Sequence, residues 1–237
     1  MSAEADFYRR QYQGGIATPG APGASGADAL QPGQRYSLVA EKLPITAKAG
    51  DTLVELGCGS GQTLKFLSQI HPFGRVVGVD IAVLEPTSLD GIEFRSANLN
   101  DEWPFASQSI DHLVAMMLIE HLFDPFHSFS EIRRTLTPKG MAYVNLPLVT
   151  SIRNRLRLLF GYLPVTSVGY ERWFDDRNWD GNHLHYFSVD SIRRLAAACG
   201  LRVVDMRGVG RMHRLKSKLP SIFAAELTFS LARADGA

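Results

Sequence analysis

From Thr52 onward the chain alternates short apolar runs with segments of helical spacing. TLVEL, RVVGVD, IEFRSA, IDHLVAMM and MAYVNLP are almost continuously apolar, as expected of strands covered on both faces. The amphipathic stretches between them read as helices, so the pattern is that of βα units building a parallel sheet. Right-handed crossovers then place helices on both sides of the sheet, a doubly wound α/β arrangement. Two further strands, LRVVDMRGV and SIFAAELTFSLA, joined by a basic connection from Arg211 to Lys218, close the sheet.

Outside this rhythm the pattern changes. Phe7, Tyr8 and Tyr12 fit a short helix, but Gly14 to Gly33 is dominated by Gly, Ala and Pro, so residues 1–34 read as a flexible segment or lid preceding a domain over 35–237. Tyr36, Leu38, Val39 and Leu43 have helical spacing, and Pro44 is expected to end that helix nearby. Ser151 to Asp180 interrupts the alternation with Arg, aromatic and Asp residues, and 150–187 reads as an insertion over the strand C-termini, where open α/β sheets bind ligands. Ser188 is an expected N-cap for a helix carrying Ile192, Leu195 and Ala196, with Gly200 as its stop.

Composition narrows the class. A chain of 237 residues supports one α/β core, and 45% hydrophobic with 21% charged residues is an ordinary globular balance. A formal charge of +1 gives no global field for nucleic acid, which argues against such a partner. Cys58 and Cys199 have no metal-ligand spacing and fit a reducing compartment. The N-terminus lacks a signal-peptide pattern and no stretch has the length of a transmembrane segment, so a cytoplasmic protein is expected.

The densest chemical signal is Val54-Glu55-Leu56-Gly57-Cys58-Gly59-Ser60-Gly61, at the junction of the first strand and a helix starting near Gln62. Glycines there let a ligand lie against backbone, and the helix start offers N–H donors. The spacing is G-x-G-x-G, not the dinucleotide G-x-G-x-x-G. Glu55 would repel a pyrophosphate but attract the ammonium and sulfonium charges of S-adenosylmethionine (SAM). Asp80 ends the second strand, where an acidic side chain accepts hydrogen bonds from ribose hydroxyls. Asn98 can read an adenine edge, with Leu99 and Ile81 bracketing the ring. Cys58, inside the loop, reads as a small packing residue.

Taken in order, ELGCGSG, VVGVDIA, ANLNDEWPF, SIDHLVAMMLIEHLFDP and LTPKGMAYVNLP resemble the class I SAM-dependent methyltransferases over Leu53 to Pro147. The tail HYFSVDSIRRLAAACGLRV is similar to their small-molecule and MetW-like branch. The expected fold is a Rossmann-like, seven-stranded sheet, mostly parallel with an antiparallel last strand, in one domain. The resemblance implies SAM as cofactor, with Glu55, Gly57, Cys58, Gly59 and Gly61 around the methionine end. It implies Asp80 at the ribose, Ile81, Asn98 and Leu99 at the adenine, and Met117 with Leu118 facing the reacting methyl. Family members commonly have Asp where this chain has Asn98, which bears on affinity.

Methyl transfer is an in-line displacement, so the protein must align the acceptor and, where it carries a proton, remove it. His121 or His185 is the expected general base, against the alternative that the histidines only pack and cap. Glu120, His121, His183 and His185 resemble the Glu-x-x-Glu-His arrangement of magnesium-dependent RNA and quinone-precursor methyltransferases. Met117 occupies the first acidic position, however, and hard cations ask for oxygen ligands, so no metal is assigned. Ser151 to Phe160 is an amphipathic basic helix, expected to rest its apolar face on the core with Arg in solvent; gripping an anionic acceptor or touching a membrane surface is the alternative. Tyr162, Tyr170, Trp173, Phe174 and Trp179 suggest an acceptor-pocket wall. The leading reading is methyl transfer to a small-molecule acceptor at oxygen, a sugar or other metabolite. Alternatives are a non-catalytic SAM-binding regulator and, fitting Asp80 but not Glu55, a nucleotide-dependent oxidoreductase.

Overall fold

The first strand, β1 (Thr52–Leu56), explains the layout. Its side chains alternate, Val54 and Leu56 joining one apolar cluster and Leu53 the other, so both faces of the sheet are core. The same division recurs on β4 (Ile110–Met116), with Leu113 and Ala115 on the first side and Val114 and Met116 on the second. The computed structural model describes residues 31–81, 91–166 and 183–235. Glu55 shares its parity with Leu53, and this puts its carboxylate on the side covered by α1 (Ser37–Thr46) and α2 (Gln62–Ser68).

Seven strands form one sheet in the order β3-β2-β1-β4-β5-β7-β6. The remaining strands are β2 (Arg75–Asp80), β3 (Glu93–Ser96), β5 (Leu136–Pro147), β6 (Leu201–Gly208) and β7 (Glu226–Arg233). β1 pairs in parallel with β2 and β4, β2 with β3, and β4 with β5, while β7 runs antiparallel between β5 and β6. The strand order reverses between β1 and β4, which opens a crevice at their C-terminal ends. Only β7 runs against the rest, as expected from the sequence.

On the first face lie α3 (Pro125–Thr135) and α5 (Val189–Ala198). Phe129 and Ile132 of α3 and Ile192 of α5 are fully buried, each worth about 1.5–3 kcal/mol of apolar transfer. Asp124 caps α3 by accepting the Phe126 N–H at 2.8 Å, with Pro125 at the first helical position. Ser188 and Ser191 form a reciprocal capping box at the start of α5.

α1 ends at Thr46, two residues past Pro44, where the Thr46 hydroxyl and the Ala47 N–H donate to the carbonyls of Lys42 and Leu43 and hold the final turn. Two expectations need correction. Ser221 to Phe223 belongs not to the last strand but to a turn of helix, α7 (Pro220–Phe223), preceded by α6 (His213–Lys218) in the basic connection. The basic helix α4 (Ile152–Leu159) buries only Asn154, whose amide oxygen accepts the Val165 N–H, while Leu159 is 75% exposed. Its arginines instead turn back to backbone: Arg155 donates to the carbonyls of Thr150 and Ser221, and Arg157 to that of Leu163. Tyr170, Trp173, Phe174 and Trp179, most of the N-terminal segment 1–34 and part of the 150–187 insertion lie outside the described residues. Among the described residues no helix is long and apolar enough to cross a membrane.

Candidate active site

A crevice opens at the switch in strand order. Gly57, Asp80, Ile81, Ala97, Asn98, Leu99 and Asn100 line one part of it, and Met116, Met117, Leu118, His121 and Leu122 the other. The first group follows β1, β2 and β3, and the second follows β4. Of the residues singled out from sequence, Gly57, Asp80, Ile81, Asn98, Leu99, Met117, Leu118 and His121 meet there. Glu55, Cys58, Gly59, Gly61 and His185 are not among its lining residues.

The glycine loop is held from beneath. The N–H groups of Gly57 and Cys58 both donate to the Val79 carbonyl, and the Gly59 N–H donates to Asp80 Oδ2 at 2.9 Å. Gly57 and Gly59 adopt φ of +68° and +52°, a region costly for other residues. A Cβ on Gly57 would approach Leu118 Cδ1 to 3.1 Å, whereas one on Gly59 would meet nothing within 4 Å. At Gly57 the backbone packs closely on the Leu118 side chain, and the space beside Gly59 is open. Cys58 packs against β2: a Cβ on Gly78 would fall 2.7 Å from its sulfur. Burial pushes the Cys58 thiol well up, which keeps it protonated and unreactive.

Glu55 lies under the loop, 2% exposed. Its Oε1 accepts the Tyr36 hydroxyl, while Oε2 is buried without a hydrogen-bond partner. Burial pushes its pKa up to about 7; the Tyr36 hydrogen bond opposes the rise and the Asp80 charge adds to it. An under-satisfied carboxylate beneath an open glycine loop is suited to a cationic ligand and poorly suited to a phosphate. The residues present thus fit SAM, and Asp80 stands at the end of β2 beside the loop, its carboxylate accepting the Gly59 N–H.

Asn98 Oδ1 accepts both the backbone N–H and the side-chain amide of Asn100 at 3.1 Å. Because a backbone N–H can only donate, this fixes the orientation of the Asn98 amide. Asn100 Oδ1 in turn accepts the Phe123 N–H at 2.7 Å, linking the turn after β3 to the segment after β4. Trp103, nearly fully buried, donates its indole N–H to the Leu99 carbonyl, and its backbone N–H goes to Glu131. That anchor sets the turn carrying Asn98 and Leu99.

The other wall of the crevice is built at the end of β4. Met117 has φ +51°, an unusual backbone for a non-glycine residue, held by donation of its N–H to the Asn145 carbonyl at 3.1 Å. A short 3₁₀ turn, Ile119–His121, follows. Glu120 in this turn is 0% exposed, and neither of its carboxylate oxygens makes a full hydrogen bond. Burial pushes its pKa up to about 8, only partly offset by contact with its own backbone N–H. The Leu184 N–H donates to the Glu120 carbonyl at 2.8 Å, bringing in the segment after the insertion. His185, on that segment, directs Nε2 to the carbonyls of Leu122 and Phe123 at 3.0 and 3.1 Å. His121 lines the crevice; His185 fastens the turn beside it.

Sequence reasoning did not identify Tyr36, Asn100 or the Arg35–Glu226 pair as parts of this region. Arg35 binds both carboxylate oxygens of Glu226 across 191 positions, and the Thr228 hydroxyl donates to the Arg35 carbonyl. The signal available for Tyr36 was an aromatic hydroxyl at the start of a helix preceding the glycine loop; nothing local marked its partner.

The comparisons agree with this geometry. Residues 31–206 match the family model described as a methyltransferase domain. The bifunctional biotin biosynthesis protein BioHC of Teredinibacter turnerae is 26% identical over 71% of this chain and 29% of its own length. The malonyl-[acyl-carrier protein] O-methyltransferase of Methylovorus sp. is 30% identical over 51% of this chain and 45% of its own. The chain thus spans less than half the length of these curated relatives. Phosphoethanolamine N-methyltransferase 2 of Haemonchus contortus, solved with SAM, shares the fold at a TM-score of 0.63 and 18% identity, over 98% of this chain and 60% of that one. A crevice at the strand switch, a glycine loop over a buried carboxylate, and a family model covering most of the chain lead to one assignment: this chain belongs to the class I SAM-dependent methyltransferases.

Proposed function

We propose that this protein transfers a methyl group from SAM to a small-molecule acceptor, at oxygen. The observation that supports the reading is that one crevice is lined both by Gly57, Asp80, Asn98 and Leu99, from the ends of β1 to β3, and by Met117, Leu118 and His121, from the segment after β4; we assign the first set to the nucleoside and the second to the acceptor. When bound, SAM supplies an electrophilic methyl group. Glu55 and the Gly57–Gly61 loop hold the cationic end, Cys58 serving as packing beneath it, and Asp80, Ile81, Asn98 and Leu99 hold the nucleoside. Met117 and Leu118 present an apolar wall to the transfer path, which excludes water from the reacting carbon. His121 is the residue placed to act on the proton of an acceptor hydroxyl, and His185 keeps the neighbouring turn in position. Oxygen as the acceptor atom is supported by the likeness to the malonyl-[acyl-carrier protein] O-methyltransferase, and a small acceptor by trans-aconitate 2-methyltransferase of Escherichia coli, 29% identical over 41% of this chain.

Calorimetric titration with SAM, followed by a screen of carboxylate- and hydroxyl-bearing metabolites for release of S-adenosylhomocysteine, tests the proposal. Saturable SAM binding with turnover on one acceptor class is expected. SAM binding without turnover on any acceptor would point to a binding protein instead, and no SAM binding would remove the reading.

A further inference from the structure

The acceptor side contains a group of side chains that methyl transfer by itself does not require. One carboxylate oxygen of Glu120 and one ring nitrogen each of His121 and His183 lie within 4.8 Å of one another. Glu120 Oε1 and His121 Nε2 are 3.9 Å apart, and the His121 and His183 rings meet edge to face with centroids 4.9 Å apart. The two histidines are 62 positions apart (183 − 121) and are brought together by the Leu184 N–H to Glu120 carbonyl bond. Nδ1 of His183 is 2.7 Å from the Thr166 hydroxyl, the kind of outer partner that fixes the ring of a metal-binding histidine.

Glu120 makes this more than a chance cluster. Its side chain is completely enclosed and its oxygens lack full hydrogen bonds, an expensive arrangement unless something positively charged completes it. Arg35 acts on Glu120 through its charge alone, because its guanidinium hydrogen bonds go to Glu226 and neither Glu120 oxygen receives one. The geometry points to Glu120, His121 and His183 as a binding site for a divalent transition-metal cation of the zinc class, open toward the acceptor end of the crevice. Two imidazoles and one carboxylate suit zinc, cobalt or manganese better than magnesium or calcium, which favour all-oxygen sets. Met117, where another carboxylate would serve a hard cation, lines the crevice instead. Ligands at about 2.0–2.2 Å from an ion sit roughly 3–4 Å from each other, so closure on a cation asks only for small side-chain shifts. Three protein ligands leave coordination positions for water or an oxygen-bearing acceptor. In that role, which rests on the proposed methyl transfer, His121 is a ligand and not a free base, and the cation would lower the pKa of an acceptor hydroxyl bound to it.

Untagged protein, stripped with EDTA and returned to metal-free buffer, is titrated with Zn²⁺ by calorimetry and with Co²⁺ by visible absorption. One ion per chain is expected, with Co²⁺ bands of a mixed nitrogen and oxygen site. Glu120→Gln and His183→Ala should each weaken Zn²⁺ binding by at least about 100-fold, while His213→Ala, remote from the site, should not change it. Melting curves of the variants confirm that each is folded. Absence of binding in folded wild type, or binding that survives both Glu120→Gln and His183→Ala, overturns the site. SAM titration of the same stripped sample is read separately. SAM binding without Zn²⁺ binding removes the metal site alone, and Zn²⁺ binding without SAM binding removes the cofactor reading alone.

Discussion

At the residue scale, Glu55 couples the cofactor loop to pH. Its carboxyl, raised to about 7 in the free protein, is largely neutral below that pH. A cationic ligand favours the ionised form, so binding SAM should expel a proton when pH is below about 7. SAM affinity is therefore expected to rise with pH and level off above about 7, and the slope should vanish in Glu55→Gln; calorimetry across a pH series, in buffers of different ionisation enthalpy, measures both. Tyr36→Phe removes the donor opposing the shift and should move the plateau to higher pH. His121 is tested by kinetics: His121→Ala should lower kcat by about 10²–10⁴-fold while SAM affinity stays nearly unchanged. An unaltered kcat would take His121 out of the mechanism.

The elements have their own weak points. β2 carries Gly78 because Cys58 and Phe94 occupy the space a Cβ would need, at 2.7 and 3.1 Å. Gly78→Ala should therefore cost about 1–3 kcal/mol of stability in chemical denaturation, and Cys58→Ala in the same chain should recover part of it. At the start of α5, Ser188→Ala breaks the capping box and should cost about 1 kcal/mol. The α4 helix behaves differently. Its leucines face outward, so replacing Leu159 should leave the melting temperature almost unchanged, in contrast with a fully buried apolar residue such as Ile132, whose replacement by Ala should cost about 2–5 kcal/mol.

For the molecule as a whole, the buried carboxyl of Glu55 ties function to stability. A raised folded-state pKa means that the group's contribution to stability is full below the ordinary carboxylate value of 4.5 and is lost as pH rises through about 7. The stability difference between wild type and Glu55→Gln should accordingly shift against wild type over that window, by on the order of 3 kcal/mol at most, and saturating SAM should offset it. Denaturation at pH values on either side of the window, with and without SAM, measures this. A cofactor loop set over an under-satisfied carboxylate gives up some stability in the free protein in exchange for affinity toward a cation.

What the chain determined by itself was everything written in short range. The nearly continuous apolar runs in TLVEL and IDHLVAM, the glycine spacing from Gly57 to Gly61, the Asp80 ending β2 and the Ser188 cap all arise from residues within a few positions of each other. Tertiary structure alone decided which distant groups met. Tyr36 reaches Glu55 because α1 covers the face that Leu53 and Glu55 share, and His183 reaches Glu120 and His121 because a backbone bond returns the chain to the end of β4. His121 and His185 were equivalent candidates in the sequence; only the path of the chain turned one to the crevice and the other to two carbonyls. The periodicity of α4 likewise announced an apolar face and led to the expectation that it would rest on the core, whereas its leucines are exposed. Local propensity and spacing act through neighbouring backbone, whereas these contacts depend on strand order and on which face each element covers, and no single segment encodes that.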